Sequence, residues 1–162
     1  MAETTDRPAD RRRESPYPKA DLTLRGLARL ADFTIAFGVA TSAPGVGPLV
    51  AAVYLAVADG LLHGQSPGKK IFGVKAVVPA TRAPVGFQES MQRNVPFAVV
   101  AAFWALPHLW LLFLLVAIPV VGFETWRVLD EPLGRRFGDR LAETQVVDAK
   151  VLSAEPASTP SA

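Results

Sequence analysis

The apolar positions of this chain gather in two long regions, 30–62 and 95–123, each interrupted near its middle by turn formers. The first interruption, Thr41-Ser42-Ala43-Pro44-Gly45-Val46-Gly47-Pro48, is one through which no helix runs unbroken. The second is Leu106-Pro107-His108. As single spans, both regions exceed the roughly 20 residues that cross a bilayer. As hairpins, they predict helices near 24–41, 48–62, 87–106 and 109–128, the second on the short side. The expected fold is an all-α membrane protein with four transmembrane helices arranged as two hairpins.

Finer features follow from the same pattern. Pro96 and Pro119 lie inside the third and fourth expected helices and predict local kinks. Small residues such as Ala36, Gly38 and Ala40, or Ala51, Ala52 and Ala56, permit close helix packing. Between the hairpins, 71–78 is rich in Val and Ile and is followed by a turn over 79–84. Residues 145–152 form a second such run, so a small cytoplasmic two-stranded element is expected.

Charge orients the helices. All 17 Lys and Arg fall in three blocks, 7–29, 69–93 and 127–150, which the hairpin reading puts on one side of the membrane. Both short turns on the other side lack charge. By the positive-inside rule both termini are cytoplasmic. Trp104 and Trp110 flank the Pro107 turn, Trp126 lies near the opposite face, and Tyr54 reads as a further interfacial aromatic. Residues 1–20, with Arg11-Arg12-Arg13 and no apolar core, read as a disordered cytoplasmic tail rather than a cleavable signal. A membrane domain follows over 21–151, and 152–162 is a second disordered tail.

Composition narrows the chemistry. The chain has 162 residues, half of them hydrophobic and 20% charged, too apolar for an ordinary soluble domain. It has no cysteine, hence no disulfide framework, thiolate metal site or thiol nucleophile. His63 and His108 lack a second ligand at metal-binding spacing, so no metal and no cofactor is expected. Gly64-Gln65-Ser66-Pro67-Gly68-Lys69-Lys70 falls short of a phosphate-binding loop: the glycines are one residue too close, and Lys70 stands where Ser or Thr should follow the lysine. Its Pro-Gly turn and two cations either hold a lipid phosphate or only fix topology, the second favoured about two to one. Without HExxH, a Ser/His/Asp set or a nucleotide loop, enzymatic activity is not expected. Nucleic acid is not an expected partner at a net charge of +2.

The most informative residue is Asp32, a carboxylate inside the first apolar stretch, where it costs at least a few kcal/mol. Arg29 lies three residues before it and within reach; Arg25 is about 10 Å away along the helix, too far for a direct pair. Asp59, Arg93 and Glu124 approach the same membrane face. An inward-facing cluster of Arg29, Asp32, Asp59, Arg93 and Glu124 is therefore expected, because lipid exposure of any one is costly. Two roles fit: mutual neutralisation that fixes helix register, favoured about three to two, or exchange of a proton or cation at Asp32.

These residues also form a pattern. Arg25-x-x-Ala28-x-x-x-Asp32, then Gly64-x-Ser66-Pro67-Gly68-Lys69, Gly73-Val74-Lys75-Ala76-Val77-Val78, Arg93, and Arg136-Phe137-Gly138-Asp139 with Thr144-Gln145-Val146-Val147, together resemble the RDD family of bacterial integral membrane proteins. The resemblance covers roughly residues 22–148. It maps the family's arginine and two aspartates onto Arg25, Asp32 and Asp139. It implies a location in the bacterial inner membrane and a transport role, with cation/proton exchange reported for some members. Glu143 departs from the pattern, which usually has glycine before the threonine. Four short helices alone make a small transporter, so a transporter or transporter subunit would work as a homo-oligomer or with another membrane protein. The alternative is a non-catalytic membrane scaffold or assembly partner.

Overall fold

The computed structural model describes residues 15–43, 45–104, 106 and 110–154. The Arg11-Arg12-Arg13 cluster, the Pro107-His108 turn and residues 155–162 lie outside these. Helix α1 spans Leu22–Ser42 and is started by Asp21, whose carboxylate accepts from the amides of Thr23 at 2.7 Å and Leu24 at 3.2 Å. Its buried positions, Ala28, Asp32, Ala36 and Ala40, recur every four residues and make a narrow inward stripe. The Pro44-Gly45 interruption separates it from α2, Gly47–Leu61, which buries Ala51, Ala52, Leu55, Ala58 and Asp59. Ala36, Ala40, Ala51, Ala52, Leu55 and Ala101 form one core cluster, with Phe33, Tyr54 and Trp104 packed on it. Small side chains let the backbones approach; aromatic ones fill what remains.

After α2 the chain makes a one-turn helix, α3 (Pro67–Ile71), and then strand β1 (Val74–Val78) with the short β2 (Ala83–Pro84). Helix α4 follows over Phe87–Trp104, then α5 over Trp110–Asp130. Both run on through their internal prolines, Pro96 and Pro119. A second one-turn helix, α6 (Phe137–Leu141), leads into β3 (Gln145–Asp148) and the terminal α7 (Ala149–Ala154). The sheet order is β2-β1-β3, antiparallel throughout, with Ala76 opposite Val146. The sheet thus has one strand more than expected, and the run expected over 145–152 turns helical at Ala149.

The expected tail over 1–20 is too long. Tyr17 and Ala20 are buried, Ala20 with Ala28, Val74 and Val146, and Tyr17 with Val77 and Val147. The Tyr17 carbonyl accepts from Gln145 Nε2 at 3.2 Å. One aromatic and one small apolar residue suffice to bind this segment to the sheet, a contact invisible to composition. Leu152, placed in the second tail, packs on the same cluster.

Among the described residues, one helix, Leu111–Asp130, is long and apolar enough to cross a bilayer by length and composition; Gly47–Leu61 is apolar but shorter. α1 carries Arg25, Arg29 and Asp32, and α4 carries Glu89 and Arg93 among several polar residues; Asp32 and Arg93 are buried. Large apolar side chains cover the outside instead, among them Leu30, Phe37, Val53, Leu115 and Ile118.

Candidate functional site

Two one-turn helices organise the buried charges. At the start of α3, Ser66 caps the helix by accepting from Lys69 N at 3.2 Å, and Pro67 occupies the first helical position. Asp32 then receives three donors: Ser66 Oγ at 2.5 Å, Gly68 N at 2.9 Å and the Tyr54 hydroxyl at 3.1 Å. Gly68 is required by this approach, since a Cβ there would run into the Ala28 carbonyl and the Asp32 carboxylate. The expected pairing of Asp32 with Arg29 is not made. Arg29 swings to Asn94 Oδ1 at 3.2 Å and lies over the rings of Phe97 and Phe33, 4.8 and 5.8 Å from their centroids. The physical reason is that neutral donors already surround the carboxylate, and the aromatic faces hold a guanidinium without desolvating an acid.

Helix α6 is built the same way. Asp139 accepts from Arg136 N at 3.2 Å, closing the first turn. Gly138 presses on the Arg93 carbonyl of α4, where no Cβ fits. Glu124, from the end of α5, receives the amides of Phe137 at 3.1 Å and Gly138 at 3.4 Å. It serves as a helix anchor and makes no ion pair in the cluster.

The ion pairs run between these two anchors. Lys69 Nζ lies 2.7 Å from Asp59 Oδ2, and Arg93 Nε 3.5 Å from the same oxygen. Arg93 Nη2 reaches Asp139 Oδ1 at 2.6 Å, Arg136 Nη2 the same oxygen at 3.1 Å, and Arg25 Nη2 reaches Oδ2 at 3.2 Å. Arg25 also donates to the Gly134 carbonyl at 2.5 Å. Burial alone would push the Asp139 carboxyl up, but Arg136, Arg93 and Arg25 together hold it well below the usual carboxylate range. Asn94 and Ser90 complete the junction: Asn94 Nδ2 donates to Asp59 at 3.4 Å, Asp59 N to Ser90 Oγ at 3.2 Å, and Ser90 Oγ to Ala56 O at 2.9 Å.

The sequence-derived site residues therefore come to one end of the helix bundle, most of them in three groups, with Arg29 on Asn94 and Glu124 on the start of α6. Asp32 belongs with Ser66 and Gly68, Asp59 with Lys69 and Arg93, Asp139 with Arg93 and Arg25; Gly64 lies beside them, turning at φ 87° toward β1. Tyr54, read as an interfacial aromatic, instead lends its hydroxyl to Asp32. Asn94 and Ser90 are participants that sequence reasoning missed, and Arg136, named there as part of the family pattern, was not placed in the charge cluster. Among the described residues no three His, Asp or Glu side chains converge to hold a metal ion.

This chain is mostly helical, carries large apolar side chains on its outside, has one helix long and apolar enough to cross a bilayer, and buries a cluster of charges, features that suit a membrane protein. It belongs to the RDD family, whose model matches residues 30–143. Arg25 lies just ahead of that stretch, Asp32 and Asp139 inside it. Comparison with curated proteins and with solved structures gives no match.

Proposed function

We propose that the chain crosses the bacterial inner membrane four times, with α1, α2, α4 and α5 as spans and both termini in the cytoplasm, and that it acts as a non-enzymatic binding and assembly module. Its partners in this reading are the bilayer and either a second copy or another membrane protein. Nucleic acid is not among them. The observation that carries the reading is how closely the buried acids are matched: Asp32, Asp59, Asp139 and Glu124 each have at least two hydrogen-bond donors or cationic nitrogens within 3.5 Å. A carboxylate that must trade partners to move an ion is better left half-satisfied; these clamp loop helices onto spans.

Topology is tested with single cysteines in this cysteine-free chain. Cysteines at Ser42 and Leu106 should react with an impermeant maleimide from outside, and those at Lys70 and Lys150 should not. Ser66 is unsuitable because it is buried on Asp32. Function is tested in proteoliposomes carrying a pH-sensitive dye, with no H⁺, Na⁺ or K⁺ flux expected under any imposed gradient.

Cation/proton exchange is the second reading, and one observation favours it. Asp32 is the buried aspartate whose donors are all uncharged, so its own charge is not matched by an adjacent cation. Flux that vanishes in Asp32→Asn while the protein still assembles would establish exchange.

A further inference from the structure

The two halves of the chain repeat one another. Each runs long helix, long helix, one-turn helix, strand, and the second one-turn helix begins 70 positions after the first, at 137 against 67. Ser66-Pro67-Gly68-Lys69-Lys70-Ile71 lines up with Arg136-Phe137-Gly138-Asp139-Arg140-Leu141. Both glycines press on a carbonyl of the half's first helix, Ala28 in α1 and Arg93 in α4. Both one-turn helices are followed by a positive φ, 68° at Gly73 and 51° at Glu143. In the antiparallel ladder the equivalent residues Ala76 and Val146 face each other, as they must if a local two-fold axis passes between them.

That two-fold is broken at one seam. Symmetry pairs the α2/α4 contact with an α5/α1 contact; α2 and α4 pack over their length, whereas α1 and α5 barely touch. The side chains explain the difference. Superposing Ala28 on Arg93 puts Arg25 and Arg29 where α4 has Ser90 and Asn94. The short polar pair closes α4 onto α2; the two arginines hold α5 away.

The opening is a cavity of about 200 Å³, walled by Phe33, Phe97, Val121, Val128 and Leu129 and floored by Arg25, Arg29, Lys69 and Arg136. Its one acid, Glu124, is spent on the backbone of α6. Arg25, Arg93 and Arg136 share Asp139, Arg93 and Lys69 share Asp59, and among the described residues Arg29 has no carboxylate in ion-pair range. Five cations, Arg25, Arg29, Lys69, Arg93 and Arg136, thus stand against four buried acids, Asp32, Asp59, Asp139 and Glu124, and Arg29 is the one left without a carboxylate partner, at a depth where unmatched charge is costly.

We propose that this seam binds one anionic phospholipid from the surrounding bilayer, its phosphate on Arg29 and Arg136 and an acyl chain along Phe33, Phe97 and Val128. An apolar wall above a cationic floor suits an amphiphile, and a gap between two helices admits it sideways. The inference rests on the membrane placement proposed above but is read separately, because lipid binding is measured in detergent without reference to topology.

The test is native mass spectrometry and thermal unfolding of the purified full chain, titrated with phosphatidylglycerol, phosphatidylcholine or inorganic phosphate. Phosphatidylglycerol should bind at one per chain and raise the unfolding temperature; phosphatidylcholine should do neither. Arg29→Gln, which breaks no ion pair, should bind phosphatidylglycerol about tenfold more weakly, the loss of one charge-assisted contact. Val128→Trp should fill the cavity and abolish retention while the chain stays folded, giving a second variant should Arg29→Gln not fold. Equal stabilisation by inorganic phosphate would make the occupant a free anion and overturn the lipid assignment. Equal binding of both lipids, or undiminished binding by Val128→Trp, would overturn the site.

Discussion

Replacing Asp139 by asparagine keeps the side chain's shape and removes the one charge that three arginines share. Arg93 beside it is wholly buried, and Arg25 and Arg136 expose only 9% of their side chains, so water cannot take over the lost role. The amide nitrogen would also turn a donor toward a guanidinium. Breaking a buried pair by removing one partner costs about 3–5 kcal/mol, a large part of the roughly 5–15 kcal/mol that holds a domain together. For a chain of this size that is a fall in unfolding temperature of about 6–20 °C. Tryptophan fluorescence during heating in mild detergent, with proteolysis of the 131–148 segment alongside, measures it. Asp139→Glu keeps the charge and should lose only about 1–3 kcal/mol through crowding at the tight Gly138 contact. An Asp139→Asn protein that melts within about 3 °C of the parent would falsify the network reading, because the arginines would then have to be solvated or otherwise paired.

Other expectations follow from the same contacts. Asp32→Asn should cost no more than about 1.5–3 kcal/mol, since an amide still accepts from Gly68 and Tyr54 and the Ser66 hydroxyl can reverse; unfolding by heat checks it, and a loss as great as that of Asp139→Asn counts against neutral anchoring. Gly68→Ala and Gly138→Ala each push a methyl into a helix carbonyl and should lose about 1–3 kcal/mol or fail to accumulate in the membrane, read by quantitative blotting of membrane fractions. Glu143→Gly relieves a left-handed residue at φ 51° and should raise the unfolding temperature by a few degrees, about 0.5–1 kcal/mol. The pH dependence has a definite sign. Asp139 is depressed in the folded chain, so its contribution is fully present above the unfolded carboxylate value of about 3.9 and is lost only as pH falls below it. Its share of the stability should stay flat from pH 8 to pH 5 and decline below about 4, seen as convergence of the parent and Asp139→Asn melting curves in acid.

The helices were legible because apolar runs and turn formers are local signals: α1 ends at Ser42 and α2 begins at Gly47, on either side of the Pro-Gly break. The inward turn of Asp32 and Asp59 was legible from cost alone. Their partners were not. Asp32 is answered by Ser66 and Gly68, more than thirty positions away, and no periodicity links an acid on one helix to an amide on the next loop. Helical spacing suggested Arg29, which lay close in sequence but had an aromatic alternative in Phe97, supplied by another helix. Arg136 looked like a topology charge because its neighbours Arg135 and Arg140 are of that kind, both pairing with Glu131 near the surface. The Glu143 departure, by contrast, was a legible anomaly with a physical cause: the position needs φ > 0, which glycine adopts freely.

The signal that would have tied these pieces together is the repeat, and its weakness in sequence comes from its charges. The equivalent positions after Gly68 and Gly138 hold Lys69 and Asp139, opposite in sign. A conserved frame with inverted charge looks like no repeat at all when letters are compared. In the fold the inversion is what joins the halves: Lys69 seeks an acid on α2, Asp139 seeks bases on α1 and α4, and Arg93 bridges Asp59 and Asp139 across the seam that closes. Like charges at both places would strip the centre of one pair: with two acids Asp59 would keep only Arg93, and with two bases Arg93 would keep only Asp59. The asymmetry also accounts for the open side, because Arg25, which answers Asp139 from α1, and Arg29 one turn further on line the gap where α5 would otherwise pack. Closing that seam should therefore require shortening Arg25 and Arg29 together, and any change that does so should remove the anion-binding floor at the same stroke.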